Sequence, residues 1–408
     1  MTSLSERLKN LGLSKGSEIT VLAKKDTRSL VDELNASTIT NDLGKIIVVE
    51  KTFPYGYLHG DIQLVDQIDT TEIHKTSKLN GINCNLKKIA FLDTETTGLS
   101  GGTGTLAFLI GVGRFGEQGF HLTQYILEDP SEESSLLLAL SIYSEEIEEI
   151  VTFNGKSFDL PLLKSRFILN RMPVPFTHLK HLDLLHISRR LWRQRLPSRS
   201  LKDLEHEILH LPRTEEEVPG WMIPELYFNF LKSGDASLIK NVVYHNAMDI
   251  VSLAALFIGI TQMLNKDLFY YDLDQMDVFS IGQVYERIGE YSKSIEIYEY
   301  CLKQSTFSKN FMIELNNRLG CIYKKQSQSD KAVNLWKNNA ENGDYAACIE
   351  LAKYYEHEAK DTKTALLWTQ KADIIIVNSK ISRYKKNTQK KELHLRRTRL
   401  EKRINGNV

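Results

Sequence analysis

The chain has 408 residues, of which 42% are hydrophobic and 25% charged, the composition of a folded protein with roughly two to four domains. Nine prolines and 23 glycines exclude collagen-like and low-complexity classes. Lys+Arg and Asp+Glu both number 52, so net charge identifies no partner and only local clusters can.

The cysteines, Cys84, Cys301, Cys321 and Cys348, form no CxxC pair. Neither a zinc knuckle nor a disulfide framework is expected, and a cytoplasmic location is. The first residues, MTSLSERLKNLGLSKG, lack the apolar core of a signal peptide. The most apolar window, Leu253 to Ile260, is shorter than the roughly 18 residues of a bilayer span, so no membrane segment is expected.

Residues 1–84 read as a mixed lead-in, with a strand at IIVVEKTF and a turn and strand at YGYLHGDIQL. KKIAFLD then reads as a buried strand ending in acids. TLAFLIGVGRF and GFHLTQYIL follow as an antiparallel hairpin, with Gly116 and Gly119 at its turn. DPSEESSLLLALSIYSEE starts a helix, with Asp129 at the cap, Pro130 in the first turn and Glu132 at the reciprocal capping position. EIVTFNG is a further strand, and FDLPLLKSRFILN a helix interrupted early by Pro161. Residues 178–212 read as helical and basic, and 236–264 as one long helix. Antiparallel strands followed by helical crossovers give an α/β order, that of an RNase H-like sheet with helices on both faces, over 85–265.

From about 277 the pattern is helical only. Leu319-Gly320-Cys321-Ile322-Tyr323 echoes Ile281-Gly282-Gln283-Val284-Tyr285, and Leu351-Ala352-Lys353-Tyr354-Tyr355 echoes both. Tyr298, Trp336 and Trp368 follow at matching spacing. The repeat predicts tetratricopeptide-like units over 277–375, an all-α domain, with an irregular helical bundle as the alternative. A basic helix or tail is expected over 376–408, where residues 380–403 hold eleven Lys/Arg against two acids. It reads as a solvated face or a phosphate-binding one.

Three acidic motifs carry chemistry. In DTETTG, Asp93 and Glu95 project from one sheet face, because residues i and i+2 share a side. In NGKSFD, Asp159 opens a helix. In HNAMD, His245 and Asp249 share a helix face. Each has a plain structural reading: strand-end acids, an N-cap, a surface pair. Brought together, like-charged carboxylates at about 4 Å cost about 4 kcal/mol per pair at an effective dielectric near 20. Such a site calls for divalent cations, and hard oxygen ligands favour Mg²⁺ or Mn²⁺ over zinc. Two such ions cleave phosphodiesters, and a nearby His can orient or deprotonate water.

These motifs, in this order, resemble the three motifs of the DEDD (DnaQ-like) superfamily of 3′→5′ exonucleases. GLSGGTGTLAFLIGVG, TFNGKSFDLPLL, HLDLLHISRRLWR, VPGWMIPELY and YHNAMDIVSLAAL are similar to the YprB-like RNase H-like family over about 85–265, and FPYGYLHGDIQL resembles its lead-in. The resemblance implies Asp93, Glu95, Asp159 and Asp249 as ligands of two divalent cations, with His245 activating water. It implies that Thr96, Gly98, Leu99, Asn154 and Phe158 line the terminal nucleotide. The superfamily divides by a Tyr four residues before the last Asp or a His five before. Here His245 is at four and Tyr244 at five. Spacing favours His245, since Tyr244 lies about 100° around the helix.

Arg189, Arg190, Arg193, Arg195, Arg199 and Lys202 surround Trp192. They read as a solvated helix face or, beside a nuclease site, as phosphate tracking with base stacking. Trp221 reads as a loop anchor or a stacking platform, and Asp183 as a cap or an outer ligand. Gly111-Val112-Gly113-Arg114-Phe115-Gly116 matches GxGxxG literally, but a strand follows where a dinucleotide fold needs a helix. Ser100-Gly101-Gly102-Thr103-Gly104 is no Walker motif, and a tight turn beside the acids is expected. The expectation is therefore a nuclease acting on single-stranded DNA or RNA, with the repeats engaging a protein partner or extending the nucleic-acid channel. The alternative is a weakly active or inactive nucleic-acid-binding scaffold recruited through its repeats.

Overall fold

The computed structural model describes residues 29–65, 67–79, 84–98, 104–211, 218–265, 273–304, 307–379 and 381–406. Two compact units divide the chain, one of residues 1–187 and 198–265, the other of 188–197 and 266–408.

The first unit holds β1 (Ser37–Asn41), β2 (Gly44–Pro54), a small hairpin of β3 (Leu58–His59) and β4 (Ile62–Gln63), β5 (Ile89–Thr96), β6 (Ala107–Phe115), β7 (Gly119–Ile126), β8 (Glu149–Thr152) and β9 (Lys180–Asp183). All but β3 and β4 form one seven-stranded sheet in the order β1-β2-β7-β6-β5-β8-β9. The pairs from β1 to β5 are antiparallel, and β5-β8 and β8-β9 are parallel. Its helices are α1 (Leu30–Leu34), α2 (Thr71–Thr76), α3 (Glu133–Ser144), α4 (Asp159–Leu169), the start of α5 (Leu184–Trp192, of which residues 188–192 belong to the second unit), α6 (Leu201–Glu207), α7 (Ile223–Ser233) and α8 (Ser237–Asn265). The mixed RNase H-like sheet is therefore present, with helices on both faces.

Alternation along β5 sets those two faces. Ala90 and Leu92 join the core formed with Leu136, Leu140, Leu163, Phe167, Tyr227 and Phe230 of α3, α4 and α7. Phe108 stacks on Tyr227 with ring centroids 3.9 Å apart. On the opposite face Phe91 meets Phe115, Phe120 and Phe257 of α8 edge-on. Helix α8 is long and apolar enough to cross a bilayer by length and composition, yet 83% of its most apolar window is buried inside the protein.

The approach of α8 to the sheet explains the GxGxxG string. A Cβ on Gly111 would stand 2.2 Å from Asn246 Oδ1 and Ile250 Cδ1, and one on Gly113 would stand 2.8 Å from Ile250 Cγ2. The glycines admit a helix against the strand rather than cradle a phosphate.

Several local expectations need correction. Residues 178–212 are not helical throughout, because β9 occupies four of them. It is too short to show a period, and the helical pattern of α5 runs on directly from it. Strand β1 was not expected. Asp129 does cap, accepting from Ser131 N at 2.8 Å, but Glu132 turns away to accept from Lys45 N at 3.0 Å. Pro161 does not interrupt α4. It sits in the first turn, where no intrahelical donor is lost.

The second unit is all-helical. It holds α9 (Gln275–Ile288), α10 (Tyr291–Leu302), α11 (Lys309–Lys325), α12 (Ser329–Glu341), α13 (Tyr345–His357), α14 (Thr362–Asn378) and α15 (Arg383–Ile404). Gly282 faces the Tyr298 ring and Gly320 faces Trp336, each at a distance a Cβ would violate. The small residue and the later aromatic are thus contact partners. In α15 the cations do not all face solvent. Arg396, Arg399 and Arg403 converge on the fully buried Glu356 carboxylate of α13, while Leu393 and Leu400 are buried.

Candidate active site

Strand β5 carries Asp93 and Glu95 at its C-terminal end, where the ladder to β6 slips between Glu95 and Thr96. Asp159 is the first residue of α4, just beyond β8. Asp249 and His245 come from α8. His245 Nε2 lies 3.6 Å from Asp249 Oδ2 and 4.0 Å from Glu95 Oε1. The Tyr244 phenol lies near enough to Tyr57 to raise that residue's pKa, after burial.

The carboxylates are largely buried and act on one another's charge. Burial raises Asp93 well above the usual carboxylate range, and the Asp159 and Asp249 charges add to it. Burial raises Glu95 likewise, with Asp93 and Asp159 adding. Burial pushes Asp159 up to about 6, against opposing hydrogen bonds. The site stores mutual repulsion that positive charge would relieve.

Neutral groups hold the acids in place. Asn246, completely buried, donates from Nδ2 to Asp93 Oδ2 at 2.9 Å. Its Oδ1 accepts from Gln124 Nε2 at 2.9 Å, and that same amide donates to the Val243 carbonyl at 2.8 Å. Thr94 Oγ1 donates to Asp159 Oδ1 at 2.6 Å. Asp183 accepts from the Asn154, Lys156 and Leu185 amides at 2.8–3.1 Å, so it fixes the turn that delivers Asp159. Asn246 and Gln124 were not singled out from sequence. The available signal was a polar residue inside HNAMD on the helix side packed against the sheet.

The residues expected to line a nucleotide divide into three groups. Thr96 Oγ1 donates to the Gly98 carbonyl at 2.8 Å, Asn154 adopts a left-handed φ of 68°, and Phe158 is 51% exposed at the entry to α4. Leu99 lies outside the described residues, as does most of the Ser100–Gly104 loop. The stacking role expected of Trp192 is corrected: Ser188–Pro197 groups with the helical unit, and there Trp192 is 0% exposed. An indole on the apolar side of α5 is core and cannot stack on a base. Arg195 pairs with Asp277 at 2.8 Å, and Arg190 is half-buried beside Arg287. Arg189 and Arg193 are exposed. Trp221, expected as an anchor, is 67% exposed.

The seven-stranded mixed sheet and the acids at the end of its interior strand β5 are those of a domain of the RNase H superfamily, and residues 90–261 match the family described by that name. The chain is also 32% identical to the uncharacterized protein YprB of Bacillus subtilis (strain 168) over 372 residues, covering 88% of this chain and 86% of that one. It belongs to the YprB family. Among solved structures, the family B DNA polymerase of the hyperthermophilic archaeon Pyrobaculum calidifontis aligns at a TM-score of 0.35 with 11% identity, covering 69% of this chain and 34% of that one.

Proposed function

We propose that this protein is a metal-dependent 3′→5′ exonuclease that hydrolyses phosphodiester bonds of single-stranded DNA or RNA. The observation that carries the reading is the convergence of Asp93, Glu95, Asp159 and Asp249 beside His245. Asp93, Glu95, Asp159 and Asp249 would hold two divalent cations, Mg²⁺ or Mn²⁺. The donor set fits, since all are hard oxygen ligands and burial raises the pKa values of Asp93, Glu95 and Asp159, with neighbouring carboxylates adding to the rise. When bound, such ions polarise a phosphoryl oxygen and lower the pKa of water.

The chain's own residues do the rest. His245 Nε2, which faces Asp249 Oδ2 at 3.6 Å and Glu95 Oε1 at 4.0 Å, accepts a proton from the attacking water, and those two carboxylates stabilise the imidazolium that forms. Asn246 orients Asp93, and its hydrogen bond favours the ionised form against burial and the neighbouring charges. The exposed Phe158 ring offers a stacking face for the terminal base, with Asn154, Thr96, Gly98 and Leu99 around it. The helical unit would act as tetratricopeptide-like repeats that bind a protein partner. The Gly282–Tyr298 and Gly320–Trp336 contacts support that reading.

The test is a gel assay with end-labelled single-stranded DNA and RNA in Mg²⁺, Mn²⁺ or EDTA, beside Asp93→Ala and His245→Ala. A metal-dependent ladder from the 3′ end that Asp93→Ala abolishes is expected. Binding without cleavage in either metal would replace the enzyme with a nucleic-acid scaffold.

A further inference from the structure

A second ligand cluster lies at the other end of the sheet. Among the described residues, one group brings His, Cys and carboxylate ligand atoms within 4.8 Å of one another, and it comprises His74, Cys84 and Glu149. His74, on α2, and Glu149, the first residue of β8, are completely buried. Cys84 is partly buried. Glu149 pairs with Ile89, four residues before Asp93 along β5, so this cluster stands about 13 Å along the strand from the carboxylates. The exonuclease reading uses none of these residues.

The contacts orient all three ligands. His74 Nε2 faces the Glu149 carboxylate oxygens at 2.7 and 2.9 Å. His74 Nδ1 donates to the Thr70 carbonyl at 2.6 Å, the outer contact that fixes the ring orientation of a metal-ligating histidine. The Thr70 hydroxyl accepts from Cys84 N at 2.8 Å, so one residue secures both the imidazole and the thiol. Lys180 Nζ donates toward Cys84 Sγ at 3.6 Å and partly offsets the burial and the Glu149 carboxylate that hold the metal-free thiol above its usual pKa.

We propose that His74, Cys84 and Glu149 bind one zinc ion. Nitrogen, thiolate and carboxylate ligands together favour zinc over the hard cations of the carboxylate site. Around a tetrahedral ion, ligand atoms stand about 3.3–3.6 Å apart, so the cluster as it stands closes on an ion with shifts of about an ångström. Binding exchanges two protons for the metal: the Nε2 proton of His74 and the thiol proton of Cys84 pass to solvent while Nδ1–H stays on Thr70. Glu149 then bonds to the ion instead of to the imidazole. With three protein ligands a water takes the fourth position. With His74 and Glu149 completely buried, the ion ties α2 and Cys84 to the start of β8.

The test uses the full-length, reduced, EDTA-stripped protein titrated with Co²⁺ and then Zn²⁺. One equivalent of Co²⁺ should give a thiolate-to-cobalt charge-transfer band in the near ultraviolet, and Zn²⁺ should displace it with release of two protons. Cys84→Ser, a near-isosteric change at a partly exposed position, should abolish the band while Cys301, Cys321 and Cys348 remain. Glu149→Gln should weaken metal retention at least about tenfold. Asp93→Ala should keep the band, which separates this site from the carboxylate cluster. Absence of a thiolate band in the wild-type protein, or its persistence in folded Cys84→Ser, would overturn the proposal and leave a metal-free buried His–Glu ion pair.

Discussion

The repulsion stored among the carboxylates makes a prediction opposite in sign to the usual effect of altering a buried polar residue. Asp159 is raised from its ordinary 3.8 to about 6 by burial, so the native state holds that proton more firmly than the unfolded chain. The corresponding stability is fully present below pH 3.8 and is lost as pH rises through about 6. By neutral pH the ionised carboxylate disfavours the fold by about 3 kcal/mol. Asp159→Asn removes the charge and leaves an amide oxygen to accept from Thr94 Oγ1. In EDTA at pH 7.5 the variant should therefore be more stable than wild type by up to about 3 kcal/mol. At roughly 2–4 °C per kcal/mol for a domain of this size, its thermal midpoint should rise by about 6–12 °C. The gain should shrink toward pH 4, and Mn²⁺ should stabilise wild type more than the variant. Thermal unfolding by circular dichroism over pH 4–8, with and without Mn²⁺, reads all three quantities. Equal or lower stability of Asp159→Asn at pH 7.5 in EDTA would refute the electrostatic reasoning, whatever the variant's activity.

Further outcomes follow from neighbouring contacts. Asn246→Ala should lower cleavage mainly through metal affinity, so raising Mn²⁺ should restore much of the rate, whereas simple misfolding would show no such rescue. Gly111→Ala places a methyl 2.2 Å from Asn246 Oδ1, and overpacking of this kind costs about 1–3 kcal/mol, measurable by denaturant unfolding. His59, buried against Ser252 Oγ at 2.7 Å, is lowered by burial to about 4. The unfolded chain takes up that proton first, so stability falls as pH drops from about 6.5 toward 4, and His59→Gln should flatten this limb by about 3 kcal/mol. Glu356→Ala strands the arginines that converge on a fully buried carboxylate and should destabilise the helical unit by roughly 3 kcal/mol, seen as faster hydrogen exchange in α15.

Legibility in the sequence followed the range of each signal. The acids of DTETTG, NGKSFD and HNAMD sit at strand and helix ends, where a local apolar run stops, and period-2 and i,i+4 rules suffice to place them. The long α8 and the β6–β7 hairpin were legible for the same reason. The stacking reading of Trp192 failed because charge is local and burial is not. Arg189, Arg190 and Arg193 read alike in sequence, and only packing shows Trp192 to be core and Arg195 to be committed to Asp277. Strand β9 failed because four residues carry no measurable period.

The His74–Glu149 pair shows the same limit in its strongest form. Its members are 75 residues apart, and neither stands in a motif. A histidine on a six-residue helix and a glutamate opening a four-residue strand each have an ordinary surface reading. Both are instead completely buried, and an unpartnered charge in such a place would cost several kcal/mol, so each residue requires the other. The parallel pairing of β8 with β5, which depends on the crossover through α3, places Glu149, and α2 brings His74 to it. The same strand carries Glu149 at its start and leads to Asp159 just past its end. One short segment therefore supplies both clusters, and a shift of β8 by one residue would send Glu149 to the opposite face. A correct register at one end is thus a condition for correct placement at the other.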